Sequence, residues 1–292
     1  MIKIKNKHIY GECSFLMKLF IFFKLDSIAW SLRRIYCPVK PNDLVLEVGS
    51  GNSPYFRSNV LCDAYIDTDE RFHTELIVDR PMVISQVENL PFKNKAFDFV
   101  IASHVLEHSP FPEKFLSELQ RVAKAGYIEV PDAFMERLTN YTFHRMEISN
   151  ENNKLIIKKK SNSITDKDLF SLFRRKAGGV FEKWASKYPF HFHLRLYWNH
   201  KGINYRVLNP KTNANWLKNK LEKSSHTNNF KITKFFKFNF LKIFRFLFSQ
   251  HSRNKNIDLL NLLQCRNCKN KKFNKINNFF VCATCKKRIK YI

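Results

Sequence analysis

Up to Pro131, short apolar runs alternate with stretches of helical periodicity. One stretch, residues 112–124, places its apolar side chains on a single helical face. Strands that alternate with helices predict an α/β fold with a doubly wound, mostly parallel sheet. Five apolar runs are the predicted strands of this part: residues 44–48, 64–67, 76–78, 97–102 and 126–130.

Beyond Pro131 the pattern becomes more aromatic and more basic. Residues 155–159 and 190–198 read as strands, and the second alternates apolar residues with His, Arg and Tyr. A short helix is predicted near 216–221, followed by a basic, Phe-rich helix over 231–248. The predicted organisation is a helical segment 1–40, a main domain 41–230 with a substrate-side insertion after about 131, a connecting helix 231–257 and a C-terminal module 258–292.

Charge is unevenly divided between the two halves of the chain. The net charge is +26, yet residues 1–140 hold 17 basic and 18 acidic residues, whereas residues 141–292 hold 34 basic and 7 acidic. This asymmetry predicts that the second half meets something anionic, such as a membrane surface, an acidic glycan or RNA.

The apolar run Ser14–Phe23 is too short to cross a bilayer, because a spanning helix needs about 20 apolar residues. We therefore expect no transmembrane segment. The scattered cysteines Cys13, Cys37 and Cys62 suggest reduced thiols, so a cytoplasmic protein is expected. Peripheral membrane contact is a separate expectation.

A glycine turn follows the first predicted strand. Gly49 and Gly51 let the backbone approach a ligand closely, and Asp67 is expected at the end of the next strand, where a carboxylate can bind ribose hydroxyls. No phosphate-binding G-x-x-x-x-G-K-[ST] motif is present.

Five motifs in this order give a specific resemblance: LEVGSGN, YIDTD, ENLPF, FDFVIASHVLEH and ELQRVAKAGYIEVP. Over roughly residues 40–132 they resemble the S-adenosylmethionine (SAM)-dependent methyltransferases of the type 11 group. The resemblance implies a Rossmann-like fold with a seven-stranded sheet. It also implies that SAM is the cofactor and that the reaction is methyl transfer.

The resemblance also implies which residues form the cofactor pocket. Glu47, Gly49 and Gly51 would shape the pocket around the methionine part of SAM, with Glu47 near its amino group. Asp67 would hold the ribose hydroxyls, while Gln86, with Glu88 two residues on, stands where many relatives bind adenine. Ser103 and His104 would face the sulfonium. The implied cofactor residues are Glu47, Gly49, Ser50, Gly51, Asn52, Asp67, Gln86, Glu88, Ser103 and His104.

A hydroxyl acceptor must lose a proton, which calls for a general base. The candidates are His104, His108, Asp132 and His144. For each histidine, a packing or capping role is the competing interpretation.

Two C-x2-C pairs lie near the C-terminal end of the sequence. Cys265, Cys268, Cys282 and Cys285 predict a closed tetrahedral site for structural zinc. The stretch 259–265 before them resembles the start of Trm112-like zinc ribbons, which activate methyltransferases of translation components.

Three functions remain open from sequence. The first is O-methylation of a small-molecule, glycan or lipid-linked acceptor. The second is methylation of RNA or a translation protein, with the ribbon as a built-in activator. The third is a catalytically silent SAM-fold binding protein.

Overall fold

The computed structural model describes residues 11–68, 74–216 and 247–292. The helices of this part are α1 Phe15–Phe22, α2 Asp26–Leu32, α3 Pro112–Val122, α4 Ala133–Thr139, α5 Lys167–Lys176, α6 Gly178–Lys187 and α7 His251–Lys255. The strands are β1 Val45–Val48, β2 Val60–Asp63, β3 Met82–Ile84, β4 Phe97–Ser103, β5 Ala123–Pro131, β6 Met146–Glu151, β7 Lys154–Lys159, β8 His193–Trp198, β9 Tyr205–Val207, β10 Phe273–Ile276, β11 Phe279–Cys282 and β12 Arg288–Tyr291.

The main sheet has nine strands in the order β10-β11-β12-β3-β2-β1-β4-β5-β8. β1, β2 and β3 pair in parallel. β12 pairs antiparallel with β3, and β8 antiparallel with β5. The α/β sheet is therefore confirmed, but the prediction of seven strands was wrong. The sheet is larger because the C-terminal strands continue it past β3.

Contacts divide the chain into two compact units. One, here the ribbon unit, holds Val39–Ile101, Arg121–Ala123 and the described residues 247–292. The other, here the histidine unit, holds the described residues up to Pro38, Ala102–Gln120 and the described residues 124–216. The domain boundaries expected at 40, 230 and 257 stay predictions.

In the ribbon unit, β1 and β2 are short strands whose residues are all buried, as expected for central parallel strands. Two predicted strands were wrong. The strand expected at 64–67 is an exposed loop, with Tyr65 45% and Ile66 44% exposed, and the buried strand precedes it at Val60–Asp63. The strand expected at 76–78 lies instead at Met82–Ile84.

In the histidine unit, α1 and α2 pack through Met17 and Ala29, which are fully buried with Phe190. A second cluster joins Phe181 and Ala185 of α6 to Phe192. β6, β7 and β9 form a separate three-stranded sheet.

The strand predicted at 190–198 is shorter, because a helical turn occupies Pro189–His191 and β8 begins at His193. Its predicted alternation is confirmed over Leu194, Leu196 and Trp198, which are buried. The predicted helices at 216–221 and 231–248 lie almost entirely outside the described residues. Within the described ranges, no helix combines the length and the apolar character needed to cross a membrane.

Candidate functional site

In the ribbon unit, the turn after β1 takes a backbone conformation that favours glycine. Gly49 has φ 62° and Gly51 has φ 55°, both in the left-handed region. The turn is tied to the end of β2, since the Gly49 N–H donates to the carbonyl of Cys62 at 2.7 Å. The Gly51 N–H donates to Oδ2 of Asp63 at 3.0 Å. The carboxyl ends of β1 and β2 therefore form one rigid edge, the usual position of a ligand crevice in such sheets.

Asp63 occupies the position at which Asp67 was expected. It is the last residue of β2 and only 7% exposed, and its Oδ1 also accepts from the Tyr65 N–H at 3.2 Å. Asp67 is exposed and lies in the loop four residues further on. Sequence reasoning missed Asp63, although it directly follows the apolar run 60–62.

Glu47 is buried, at 3% exposure, and braces the loop that follows the glycine turn. Its Oε2 accepts hydrogen bonds from the Tyr55 N–H and the Ser58 hydroxyl, both at 2.8 Å. This carboxylate thus fixes the segment 55–58 against the end of β1.

Other predicted cofactor residues lie along the same edge. Ser50 is 4% exposed, and its hydroxyl has no hydrogen-bond partner among the described residues. A buried hydroxyl of this kind calls for a ligand or water. Asn52 is exposed. Gln86 is exposed and Glu88 half-buried, both just past the end of β3, which pairs with β2 through Ile84 and Asp63.

In the histidine unit, a fully buried carboxylate organises the last residue of β4 and the residue that follows it. Glu129 accepts hydrogen bonds from Nε and Nη2 of Arg33, at 2.6 and 2.9 Å, and from the Ser103 hydroxyl at 3.0 Å. The Tyr127 hydroxyl also donates to it at 2.5 Å. Ser103 is therefore held in place by a charged network within this unit.

His104 lies between two carboxylates. Its Nδ1 is 3.3 Å from Glu107 Oε1 and its Nε2 is 3.2 Å from Glu129 Oε1. Burial lowers the pKa of His104, but hydrogen bonds and charge from both carboxylates raise it overall to about 9. The ring is an imidazolium at neutral pH, so it is unsuited to act as a general base there.

His144 and Glu136 form a buried pair. His144 Nδ1 lies 2.6 Å from Glu136 Oε2, and Lys160 donates to Glu136 Oε1 at 2.9 Å. Burial and the nearby charge of His108 lower the pKa of His144 well below its usual value. Its ring is neutral at physiological pH.

His108 packs beside this pair, stacked on Phe143 at 5.5 Å and edge-on to His144 at 4.8 Å between ring centroids. Burial also lowers the pKa of His108. Of the predicted catalytic residues, the structure therefore brings His108 and His144 together, with His104 beside Glu107.

Asp132 caps α4, because its Oδ1 accepts from the Met135 N–H at 2.7 Å. Burial raises the pKa of Asp132. It also lines an open cleft of about 1420 Å³ together with His193 and Arg195 of β8.

The four C-terminal cysteines converge. All four sulfur atoms lie within 4.8 Å of one another, with Cys265 and Cys285 3.4 Å apart and Cys268 and Cys282 3.4 Å apart. Tetrahedral zinc–sulfur bonds of about 2.3 Å place the sulfurs roughly 3.8 Å apart, so this arrangement fits a zinc ion. The backbone N–H of Lys287 and hydrogen bonds from Cys265 lower the pKa of Cys285 to about 6, which favours the thiolate that a metal needs.

The ribbon that carries these cysteines is continuous with the sheet of its unit. β12 pairs with β3 through Tyr291 and Val83, and Ile292 exchanges backbone hydrogen bonds with Met82 at 3.0 and 3.2 Å. The segment before the first cysteine bridges to Phe92 through Leu263. Both residues are fully buried.

Comparison with known families identifies this arrangement. Residues 46–128 match the model of a methyltransferase domain family. The matched range covers β1 to β5, including the glycine turn, Asp63 and the His104 region. This part of the chain is therefore similar to a methyltransferase domain, in agreement with the resemblance carried by the five sequence motifs.

Individual relatives are similar to this chain over limited parts of its length. An uncharacterised protein of Methanocaldococcus jannaschii is 42% identical over 45 residues, which is 15% of this chain and 22% of that protein. A solved Thermotoga maritima SAM-dependent methyltransferase, described as a possible histamine N-methyltransferase, is 20% identical with a TM-score of 0.28, over 40% of this chain and 56% of that one. A chain from the complex of the Haloferax volcanii Trm112 activator with a putative methyltransferase is 14% identical with a TM-score of 0.38, over 63% and 93%.

This chain thus spans less than a quarter of the curated relative and just over half of the Thermotoga chain.

Proposed function

We propose that this protein is a SAM-dependent methyltransferase that methylates a hydroxyl of a glycan or lipid-linked acceptor. The observation that carries the cofactor assignment is the glycine turn joined to Asp63 inside the matched methyltransferase domain. Glycines with positive φ allow the backbone to approach SAM, and Asp63 stands at the strand end where a carboxylate binds ribose hydroxyls. The partnerless buried hydroxyl of Ser50 supports a ligand at this edge.

The reaction requires little covalent chemistry from the protein. Methyl transfer from a cationic sulfur is an in-line displacement, and holding the acceptor close and aligned supplies much of the rate. The acceptor hydroxyl must still give up its proton. We assign that task to the neutral imidazoles of His108 and His144, because His104 is already protonated at neutral pH.

A lipid-linked acceptor is supported by the surface of the histidine unit. Phe15 and Phe22 of α1 are 80% and 79% exposed, and Lys18 and Lys24 are exposed beside them. Large exposed apolar side chains flanked by cations are typical of helices that lie on anionic membranes. This surface would bring the enzyme to an acceptor held in the bilayer.

The alternative of an RNA or translation-protein substrate is supported by the basic second half of the chain and by the cysteine ribbon. In that case the ribbon would act as a built-in activator of the Trm112 type. We propose structural zinc in the ribbon under either function, since four thiolates leave no open position for catalysis.

A pair of aspartate variants tests the cofactor site. Asp63→Ala should weaken SAM binding at least tenfold by calorimetry, because the ribose hydroxyls lose their acceptor. Asp67→Ala, an exposed aspartate four residues away, should bind SAM as the wild type does. Equal binding by both variants would remove Asp63 from the site, and no binding by the folded wild type would leave the silent SAM-fold protein.

Transfer of a radiolabelled methyl group onto separated cell extracts tests the acceptor. Label in lipid or polysaccharide is the expected result. Label in RNA or protein would instead support the alternative substrate.

A further inference from the structure

The histidine unit contains a group of metal-ligating side chains apart from the cysteines. Glu107, His108 and His144 each place one donor atom within 4.8 Å of the other two. Glu107 and His108 come from the turn after β4, whereas His144 comes from the segment between α4 and β6. Two imidazoles and one carboxylate are the ligand set of many catalytic zinc and non-haem iron sites, which keep open positions for oxygen ligands.

Glu107 supplies the strongest indication of a ligand. Its side chain is only 2% exposed. Its Oε1 faces His104 at 3.3 Å, while its Oε2 has no hydrogen-bond partner among the described residues. A buried carboxylate oxygen left in this state is costly unless a cation or a proton donor meets it.

The surroundings of His144 match the second shell of a metal site. Metal-bound histidines usually give their other ring N–H to a carboxylate, which fixes the tautomer and the ring orientation. Here Nδ1 of His144 is 2.6 Å from Glu136, and Lys160 and Asn140 lie in the same hydrogen-bonded group. This arrangement leaves Nε2 of His144 as the nitrogen with its lone pair available.

His108 completes the set in a fixed orientation. Its ring is stacked on Phe143 with an interplanar angle of 1° and meets His144 edge-on. Zinc bonds of about 2.0–2.2 Å hold ligand atoms roughly 3–4 Å apart, and the three donor atoms, within 4.8 Å of one another, lie close to that spacing.

We propose that Glu107, His108 and His144 bind a divalent transition-metal ion such as Zn²⁺, with Glu136 as the second-shell partner of His144. Three protein ligands leave room for an oxygen ligand on the ion. A coordinated acceptor hydroxyl is acidified by such an ion and would release its proton to water, so with the ion bound this replaces the base role assigned above to the free imidazoles of His108 and His144. That last role rests on the proposed function, but the binding of the ion does not.

Metal content measured without SAM tests the proposal and keeps it separate from methyl transfer. The full chain is saturated with Zn²⁺, desalted and subjected to elemental analysis. Wild type is expected to hold one zinc more per chain than Glu107→Gln, which keeps the side-chain shape but removes the charge. The exposed-histidine variant His200→Asn is the matched control and should keep the wild-type content.

Cobalt distinguishes the two kinds of site. Co²⁺ added to protein that carries one zinc per chain should give weak absorption typical of nitrogen and oxygen ligands, without a thiolate-to-metal band, because thiolates retain zinc in preference to cobalt. Glu136→Gln should weaken Co²⁺ binding by about 10–100-fold, as expected for a second-shell partner. Circular dichroism of each variant confirms that it is folded.

Equal metal content in the wild type and folded Glu107→Gln would overturn the proposal. So would a cobalt spectrum that shows only thiolate ligands. Neither outcome bears on SAM binding, which depends on the Asp63 edge of the ribbon unit.

Discussion

Glu129 shows how a single buried charge can organise a site. Its carboxylate accepts from Arg33, Ser103 and Tyr127 and faces His104, while its own side chain is fully buried. An isolated carboxylate in this position would be very costly, and the bidentate guanidinium with two hydroxyls offsets that cost. Ser103 and His104 are thereby fixed in orientation before any substrate arrives.

Breaking the Arg33–Glu129 ion pair should lower the stability of the fold. Arg33→Met leaves the buried Glu129 with only the His104 imidazolium, 3.2 Å away, to balance its charge. We therefore expect a loss of about 3 kcal/mol in the free energy of unfolding, measured with urea. The double variant Arg33→Met with Glu129→Gln should recover much of that loss, because no unpaired charge remains. A double variant as unstable as the single one would show that Arg33 acts through packing on Trp30, which its guanidinium covers at 3.9 Å.

The Arg33–Glu129 pair also predicts how the folding stability depends on pH. Burial alone raises the pKa of Glu129, but Arg33 and His104 lower it well below the usual value of 4.5. A carboxyl with a lowered folded-state pKa stabilises the fold above its unfolded-state pKa, and this stabilisation is lost as pH falls through the folded-state value. Urea unfolding from pH 7 down to pH 3 should therefore show a smaller loss of stability in Glu129→Gln than in wild type, and parallel profiles would contradict this.

At the residue scale, sequence reasoning succeeded where spacing alone brings side chains together. The four cysteines meet as predicted because two C-x2-C turns bring their sulfurs together in a single hairpin framework. It missed Asp63 because an apolar run gives no indication of which of several following acidic residues ends the strand. The pairing of Glu136 with His144 could not be predicted either, because it depends on how α4 packs against the segment before β6.

At the scale of elements, α1 combines a buried face with a strongly apolar exposed face. Ser14 caps it by accepting from the Met17 N–H at 3.2 Å, and Met17 is fully buried, yet Leu16 and Leu19 are 54% and 40% exposed. A helix that only packed on a core would present polar residues on its outer side. The helix was predicted from sequence, but its exposed apolar side was not, because an apolar run does not show which of its faces is covered.

A vesicle assay tests the role of α1. Phe15→Ser combined with Phe22→Ser should reduce binding to vesicles that contain phosphatidylserine by at least tenfold, because two large side chains no longer enter the interface. Ile276→Ser, which changes a residue of β10 that is 51% exposed, serves as the control and should leave binding unchanged. Wild-type protein that fails to sediment with such vesicles at low salt would refute membrane contact through α1.

At the scale of the whole molecule, the sheet extends beyond what periodicity can predict. β1, β4 and β5 lie where their apolar runs indicated, and α3 covers most of the predicted helix 112–124. The ribbon strands were expected to form their own module. Their pairing with β3 depends on two strand edges that are distant in sequence, and no local pattern encodes such a contact.

Metal removal should consequently affect more than the ribbon. Because β12 hydrogen-bonds to β3, a strong chelator is expected to lower the melting temperature of the unit that holds the glycine turn, and to weaken SAM binding with it. Thermal unfolding and calorimetry before and after chelation provide the measurement. Cys285→Ser should reproduce the effect, and an unchanged melting temperature in the metal-free protein would show that the ribbon adds nothing to its neighbour.

The pairing of β3 with β12 also imposes an order on biosynthesis. Roughly 200 residues separate the two strands, so on the ribosome β3 is made long before its partner exists. During that interval its free edge offers unpaired backbone groups to any other extended chain, the usual route to aggregation of nascent sheets. With zinc bound at the four cysteines as proposed, slow translation or a metal-poor medium should therefore lower the yield of native protein and raise the share found in inclusion bodies.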